Sequence, residues 1–188
     1  MRRICVFCGS SLGIQQEFVE TAHQLGQAMV QRGLGLVYGG GNIGLMGIIA
    51  ETVLKEGGEV IGVIPEALVE KEYAFHEITD LRIVKTMHAR KALMNDLCDG
   101  FVALPGGFGT LEEICEMITW AQLGIHQKPC GILNTQGFFD SLLSFFDNQV
   151  KQGFVTPSNR TLVFEAKDPD SLLELMLKEG QDRGNTNY

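Results

Sequence analysis

An arginine lies on the apolar side of a helix that the sequence predicts over residues 86–98. Apolar residues recur there at helical spacing, and Arg90 falls in the middle of their stripe with Lys91 at its edge. A guanidinium among apolar side chains is costly unless it is paired and hydrogen-bonded. Arg90 therefore either faces a ligand crevice, forms a structural ion pair, or extends its tip to solvent. The stripe consists of Met87, Leu93, Met94, Leu97 and Cys98.

A carboxylate in the next predicted helix also has two interpretations. Thr110 and Glu113 match a capping box, with Thr110 as the N-cap and Glu113 at the third helical position. A carboxylate in the first turn also suits the helix dipole. However, Glu113 projects near Trp120 rather than with the polar side of this helix, so it could equally face a ligand. Glu116 is a further candidate carboxylate, although a solvated helix face explains it as well.

The elements that must position these side chains are three segments rich in glycine or small polar residues. They are Gly9-Ser10-Ser11, Gly39 to Gly44, and Pro105 to Thr110, and each follows a predicted strand and leads into a helix. Glycine permits positive φ and lets a ligand approach the backbone, and the N–H groups that begin a helix bind anions. Some of these glycines will be turn and packing residues. Three such loops at one sheet edge nevertheless predict a ligand that carries phosphate.

The phosphate ligand predicted by these loops is a mononucleotide. Gly39 to Gly44 formally match G-x-G-x-x-G, but they follow the second strand rather than the first. A dinucleotide fold has this pattern after the first strand, with an acidic ribose ligand about 20 residues further on. Glu66 is the only candidate for that acid, and no phosphate-binding loop of the NTPase type is present. Full dinucleotide binding and NTPase activity are therefore disfavoured.

Short apolar runs alternate with longer helical patterns along the whole chain. The strands are predicted at 3–8, 34–38, 59–64, 78–85, 100–104, 129–133 and 161–164, and the helices at 14–32, 43–56, 86–98, 110–124, 138–152 and 169–179. This alternation predicts an α/β fold, a Rossmann-like doubly wound parallel sheet of about seven strands with helices on both faces. Ligands of such sheets bind beyond the carboxyl ends of the strands. We expect one domain over 1–179 and a polar C-terminal tail over 180–188.

Composition excludes several classes of partner. The 188 residues carry a formal net charge of −8, with 45% hydrophobic and 20% charged residues. An acidic protein lacks the positive field that nucleic acids and anionic membrane surfaces require. The apolar run at 4–8 is too short for the core of a signal peptide, and no window reaches the ~18 apolar residues of a membrane span. The sequence predicts a soluble cytoplasmic protein.

Cysteine and histidine spacing does not predict a metal site. Cys5 and Cys8 match C-x-x-C, but an offset of three residues in one strand points their side chains to opposite faces. The five cysteines are too few and odd in number for a disulfide framework in a chain of this size, and the four histidines show no ligand spacing.

The sequence resembles the Lonely Guy family on two motifs. These are Met87-His88-Ala89-Arg90-Lys91 and Pro105-Gly106-Gly107-Phe108-Gly109-Thr110-Leu111-Glu112-Glu113, the second of which is the family's P-G-G-x-G-T-x-x-E motif. Further matching stretches are 8–11, 37–47, 60–65 and 119–124, so that the resemblance extends over residues 1–178.

The resemblance implies a phosphoribohydrolase without a cofactor. Members of the family cleave the N-glycosidic bond of N6-modified adenosine 5′-monophosphates, and often of AMP, and release the base and ribose 5-phosphate. They are homodimers or larger assemblies with sites near the subunit interface. The resemblance makes Arg90 and Glu113 the catalytic pair. With the glycine loops it assigns substrate binding to Glu72, Lys91, Gly106, Gly107, Phe108, Gly109, Thr110, Thr119, Ser10, Gly40, Gly41 and Met87.

Two other functions compete with this one. A non-catalytic nucleotide or cofactor carrier would use similar glycine loops, but the presence of both Arg90 and Glu113 favours the enzyme. A lysine decarboxylase needs a Schiff-base lysine and a partner for the pyridine nitrogen. Nothing in the sequence identifies such a pair.

Overall fold

The structure, a computed structural model, describes residues 1–184 and contains one parallel sheet in that range. Its strands are β1 (Arg3–Phe7), β2 (Gly35–Tyr38), β3 (Val60–Pro65), β4 (Asp80–Val84), β5 (Gly100–Ala103), β6 (Cys130–Leu133) and β7 (Val163–Ala166). They are ordered β4-β3-β2-β1-β5-β6-β7, and every neighbouring pair is parallel. The predicted α/β class and the seven strands are confirmed.

Helices cover both faces of the sheet. They are α1 (Gln16–Gln31), α2 (Gly44–Lys55), α3 (Met87–Leu97), α4 (Phe108–Gln122), α5 (Asp140–Lys151), α6 (Pro157–Arg160) and α7 (Pro169–Gly184). Two short 3₁₀ turns lie at Glu66–Leu68 and Thr135–Gly137. Helices α1, α2 and α7 pack on one face, and α3, α4 and α5 pack on the other. No helix in residues 1–184 is long and apolar enough to cross a membrane.

The C-x-x-C cysteines confirm the predicted alternation of strand side chains. Cys5 belongs to the apolar core under α3, α4 and α5, whereas Cys8 belongs to the core under α1, α2 and α7. Both thiols are buried and free. The side chains therefore face opposite sides of the sheet, as an offset of three residues requires.

Some element boundaries differ from the predictions. Strand β7 begins at Val163 rather than 161, because the short helix α6 precedes it and the Leu162 N–H donates to Asn159 O in the turn that ends α6. Helix α7 continues to Gly184, five residues beyond its predicted end at 179. A polar run does not stop a helix whose outer face is already in water. The rest of the predicted tail, 185–188, lies outside the described residues.

The order of the strands creates the crevice that holds the site. The chain builds β2, β3 and β4 outward from one side of β1 and then returns to place β5 on its other side. The direction of winding reverses between β1 and β5, which is where open α/β sheets bind ligands. The segments that follow these two strands meet there, and the Gly9 N–H donates to Pro105 O at 3.0 Å.

Candidate active site

The predicted capping box at the start of α4 is wrong. The helix begins at Phe108, and its N-cap is Gly107 in an extended conformation, with φ −94° and ψ −155°. Thr110 therefore lies inside the first turn and Glu113 in the second, so Glu113 does not cap the helix. Because Gly107 takes the N-cap position without a side chain, no N-cap side chain accepts from the N–H groups of the first turn. The first N–H groups of a helix have no partner within it.

Gly106 is required for the packing of this loop. A Cβ atom at Gly106 would lie 2.1 Å from Thr110 Oγ1 and 2.8 Å from the Gly9 nitrogen. Such contacts are far inside van der Waals distance, so only glycine fits between the ends of β1 and β5. By contrast, a Cβ at Gly107 or Gly109 would meet nothing within 4 Å. These two glycines leave room for a ligand at the α4 N-terminus.

The second glycine-rich loop, Gly39 to Gly44, packs closely against the first one. Gly44 has φ +58°, and a Cβ there would lie 2.3 Å from the Ser10 carbonyl carbon. The Leu45 N–H at the start of α2 donates to Gly9 O at 3.0 Å. A backbone carbonyl thus occupies this helix N-terminus. Helix α1 begins only at Gln16, well after Ser11. Of the three predicted phosphate loops, the one before α4 leads directly into a helix and leaves open space at Gly107 and Gly109. Phosphate binding at the other two loops stays a prediction.

Gly40 and Gly41 pack against the irregular segment 66–79 and are not among the residues that line the cavity shared by Arg90 and Glu113. The Phe75 N–H donates to Gly40 O at 2.9 Å, and a Cβ at Gly41 would lie 3.0 Å from Glu72 O. This close packing holds the segment that carries Glu72 over the crevice. In the structure these two glycines support Glu72, and their contact with substrate stays a prediction.

A cavity of about 300 Å³ lies in front of α4 and brings most of the predicted residues together. The predicted site residues that line it are Ser10, Glu72, Met87, Arg90, Gly107, Phe108, Gly109, Thr110 and Glu113. Sequence reasoning did not single out the apolar Cys8, Met46 and Leu68, which also line it. The charged groups of the cavity are one guanidinium and two carboxylates, with a helix N-terminus beside them.

Arg90 is buried, with 5% of its surface exposed, and it faces this cavity from the first turn of α3. Thr86 begins the helix at the carboxyl edge of the sheet, because its hydroxyl accepts from the Ala89 N–H at 3.1 Å. Arg90 Nη2 donates to Gly39 O at 3.0 Å and lies 3.7 Å from Glu72 Oε2. Its buried Nε has no protein partner. The guanidinium is thus held on one side and keeps a free donor.

Glu113 is the carboxyl group most perturbed by this environment. Burial raises the pKa of Glu113 from its ordinary 4.5 to about 7. The Arg90 guanidinium opposes the shift, whereas Glu112 and Glu72 add to it. Burial likewise raises the pKa of Glu72, and Arg90 again opposes the shift. A carboxyl group with a pKa near neutrality in a crevice is a candidate for chemistry.

Lys91 and Thr119 are not brought to this cavity. Lys91 is buried, but its ammonium lies between Glu112 and Glu116 of α4 rather than in the cavity. The Thr119 hydroxyl donates to Cys115 O at 2.7 Å, and this residue lines a separate cavity between α4, α5 and α6. Their contact with a nucleotide stays a prediction. Among residues 1–184, no group of three or more His, Cys, Asp or Glu is placed to hold a metal ion.

Fold and site together define an α/β protein with a cavity at its topological switch point, lined by Arg90, by Glu113 and by the start of α4. The model of a protein family described as "Possible lysine decarboxylase" matches residues 46–176. A probable cytokinin riboside 5′-monophosphate phosphoribohydrolase of Oryza sativa subsp. japonica is 53% identical over 172 residues, which cover 92% of this chain and 76% of the relative. A cytokinin riboside 5′-monophosphate phosphoribohydrolase of Arabidopsis thaliana is 49% identical over 173 residues, covering 92% and 81%. The chain belongs to this family, the Lonely Guy family that the two motifs indicated.

Solved structures with the same fold are more distant in sequence. The molybdenum cofactor carrier protein of Chlamydomonas reinhardtii has a TM-score of 0.70 at 20% identity, over 96% of this chain and 98% of that one. The molybdenum cofactor binding protein of Rippkaea orientalis has a TM-score of 0.70 at 23% identity, over 94% and 96%. At this identity the similarity establishes the fold alone.

Proposed function

We propose that this protein is a phosphoribohydrolase that hydrolyses the N-glycosidic bond of N6-modified adenosine 5′-monophosphates and of AMP. The products are the free base and ribose 5-phosphate. Relatives of this name share 49–53% identity with nearly the whole chain. The observation that carries the proposal is that Arg90 and Glu113, from two different helices, line one cavity at a helix N-terminus. The protein is a hydrolase of N-glycosyl bonds and not a lysine decarboxylase.

The N-terminus of α4 is the proposed site of the 5′-phosphate. Its first N–H groups are free of intrahelical partners, and Gly107 and Gly109 leave the space in front of them open. The helix dipole favours an anion at this position. Binding energy from the phosphate, which does not react, would then orient C1′ of the ribose for cleavage.

Glu113 is the proposed partner of the ribose. Cleavage of the bond between C1′ and the base nitrogen moves the bonding electron pair to the base and leaves positive charge on the sugar. A carboxylate beside the sugar stabilises that charge, holds the ribose hydroxyls and orients the attacking water. The water oxygen then bonds to C1′, one of its protons passes to the solvent or the carboxylate, and the base takes up a proton as it leaves. A pKa of about 7 leaves a large share of Glu113 ionised at neutral pH.

Arg90 is the proposed partner of the developing negative charge. Its guanidinium is fixed by Gly39 O, and Arg90 lines the cavity together with Glu113. A guanidinium remains protonated throughout the physiological range. It would therefore offset charge on the departing purine or on the phosphate.

The size of the ligand, the cellular location and the oligomeric state are proposed on the same family membership. The cavity of about 300 Å³ is the proposed site of a mononucleotide. Five free cysteines in the described residues are consistent with the reducing cytoplasm, which is the proposed location. We propose a homodimer or larger homo-oligomer, as the resemblance implies.

The experiment that tests the proposal is incubation of the purified protein with AMP and with isopentenyladenosine monophosphate, followed by chromatography of the bases. We expect the free base and ribose 5-phosphate to be released in equal amounts. Glu113→Gln and Arg90→Ala, confirmed as folded by circular dichroism, should each lower turnover by about a thousandfold. A non-catalytic carrier would bind AMP and release no base. Near-native turnover by either folded variant would contradict the assigned pair.

A further inference from the structure

The glycine at the end of β2 contacts the proposed catalytic arginine directly. Gly39 O accepts a buried hydrogen bond from Arg90 Nη2 at 3.0 Å, between residues that are 51 positions apart in the chain. Sequence reasoning grouped Gly39 with a phosphate loop and did not connect it with Arg90. In the structure Gly39 contacts Arg90, which suggests a different role for this glycine.

No side chain fits at Gly39 while Arg90 keeps its position. A Cβ atom there would lie 2.2 Å from Arg90 Nη2, 3.4 Å from Cζ and 3.0 Å from Met46 Sδ. The guanidinium has little freedom to yield, because only 6% of the Arg90 side chain is exposed. Glu72 Oε2 flanks it at 3.7 Å and Met87 Sδ at 3.9 Å. A single methyl group at Gly39 would force the guanidinium out of its place.

The neighbouring glycines do not share this role. A Cβ at Gly40 would meet Ile64 at 3.1 Å, and one at Gly41 would meet Glu72 O at 3.0 Å. Those two positions pack against β3 and the segment 66–79. Among the three consecutive glycines, Gly39 is the one whose missing side chain makes room for Arg90.

We infer that Gly39 is a positioning residue for Arg90, which uses its carbonyl as the fixed acceptor and its lack of a side chain as the space for the guanidinium. The inference rests on the proposed function in so far as Arg90 acts on substrate. The contact itself is independent of that function. This allows the two to be tested separately.

The test is a double-mutant cycle between Gly39→Ala and Arg90→Ala, read out by kcat/KM for AMP and by Tm. In the native background Gly39→Ala should lower kcat/KM by about a hundredfold, the loss typical of misplacing a reacting group by 1 Å. In the Arg90→Ala background, where the guanidinium is absent, the same change should cost less than about threefold. Gly39→Ala should also lower Tm much less in that background. Gly35→Ala, at the other end of β2, is the matched control, since a Cβ there would meet the Glu59 carboxylate at 3.0 Å and no residue of the cavity.

The outcomes distinguish the positioning role of Gly39 from the proposed hydrolase function. An equal loss of kcat/KM in both backgrounds, or native activity of Gly39→Ala, would overturn the positioning role. If Gly39→Ala alone does not fold, folding of the double variant supports the inference, and failure of both overturns it. If the native protein releases no base from AMP, the proposed function fails, while the Tm cycle still decides whether Gly39 makes room for Arg90.

Discussion

Lys91 Nζ lies 3.0 Å from Glu116 Oε2, and this ion pair joins the helix that carries Arg90 to the helix that carries Glu113. Glu112 contacts the same ammonium from the preceding turn of α4. Lys91 is one residue from Arg90, and Glu113 lies between Glu112 and Glu116 in sequence. Neighbouring residues on each helix therefore point in different directions, one toward the cavity and one toward the other helix. The pairing fixes the relative position of α3 and α4 at the level of the site.

This geometry predicts how Lys91→Met affects kinetics. If the lysine aligns the two helices, the variant should lower kcat for AMP about tenfold and leave KM within about twofold, because binding of the phosphate is retained. Lys91→Arg should keep most of the activity, since a guanidinium can still bridge the two carboxylates. Steady-state kinetics on both variants measures the separate effects on kcat and KM. A large rise in KM with kcat preserved would instead assign Lys91 to the phosphate, as the family resemblance implies.

Glu113 makes the stability of the protein depend on pH. The folded state holds its proton up to about pH 7, whereas an ordinary glutamate releases it near 4.5. Between these values the folded state binds more protons than the unfolded state, so the free energy of unfolding falls as pH rises. Glu113→Gln removes this loss and should be more stable than the native protein at pH 8, by at most about 3 kcal/mol.

Urea unfolding at pH 5 and pH 8 measures this effect. The difference between the variant and the native protein should shrink toward pH 5, where the native carboxyl is mostly protonated. Glu20→Gln, at an exposed glutamate of α1, is the matched control and should follow the native curve. A Glu113→Gln variant whose stability parallels the native protein at both pH values would show that burial does not perturb this carboxyl.

The pH profile of activity should respond to Glu72. The negative charge of Glu72 contributes to the raised pKa of Glu113, after burial and together with Glu112, while Arg90 and Lys91 oppose it. If catalysis requires the Glu113 carboxylate, kcat/KM for AMP should rise with pH through about 7. Glu72→Gln removes one negative neighbour, makes ionisation easier and should move the midpoint to lower pH. Profiles recorded over pH 5 to 9 decide it, and a midpoint that stays in place or moves upward would exclude this coupling.

The two adjacent glycines before α4 should differ sharply in their tolerance of alanine. Gly106→Ala would place a methyl group 2.1 Å from Thr110 Oγ1, so it should destabilise the protein by about 1–3 kcal/mol. Gly107→Ala enters open space and should change Tm by little. Thermal unfolding followed by circular dichroism provides the comparison. Equal losses of Tm would show that the ends of β1 and β5 are not packed as tightly as described.

Most of the fold could be predicted because element type depends on local patterns. Strands β2 and β3 are continuous apolar runs, which indicates burial on both faces of the sheet. Helix α1 has one apolar face, which indicates burial on one side only. The boundaries were less accurate. Thr110 matched a capping box, yet the helix starts two residues earlier, because Gly107 adopts the N-cap conformation.

A site residue was predictable where its charge was unusual for its position in a helix. Arg90 stood out as a charge on an apolar stripe, and the structure buries it in the cavity. Gly39 gave no such signal, since a glycine at a strand end has many explanations. Lys91 and Thr119 could not be placed, because their directions depend on how α3, α4 and α5 pack together.

The sequence by itself determined the order of strands and helices, the strand-end glycines and the family to which the chain belongs, because these depend on local periodicity and on contiguous motifs. Only the tertiary structure decided which helix N-terminus is free for an anion. Gly9 O occupies the start of α2, whereas Gly107 leaves the start of α4 open. It also decided that Gly39 makes room for Arg90. Both outcomes depend on contacts between residues far apart in the chain, and such contacts exist only once the sheet has brought its carboxyl ends together.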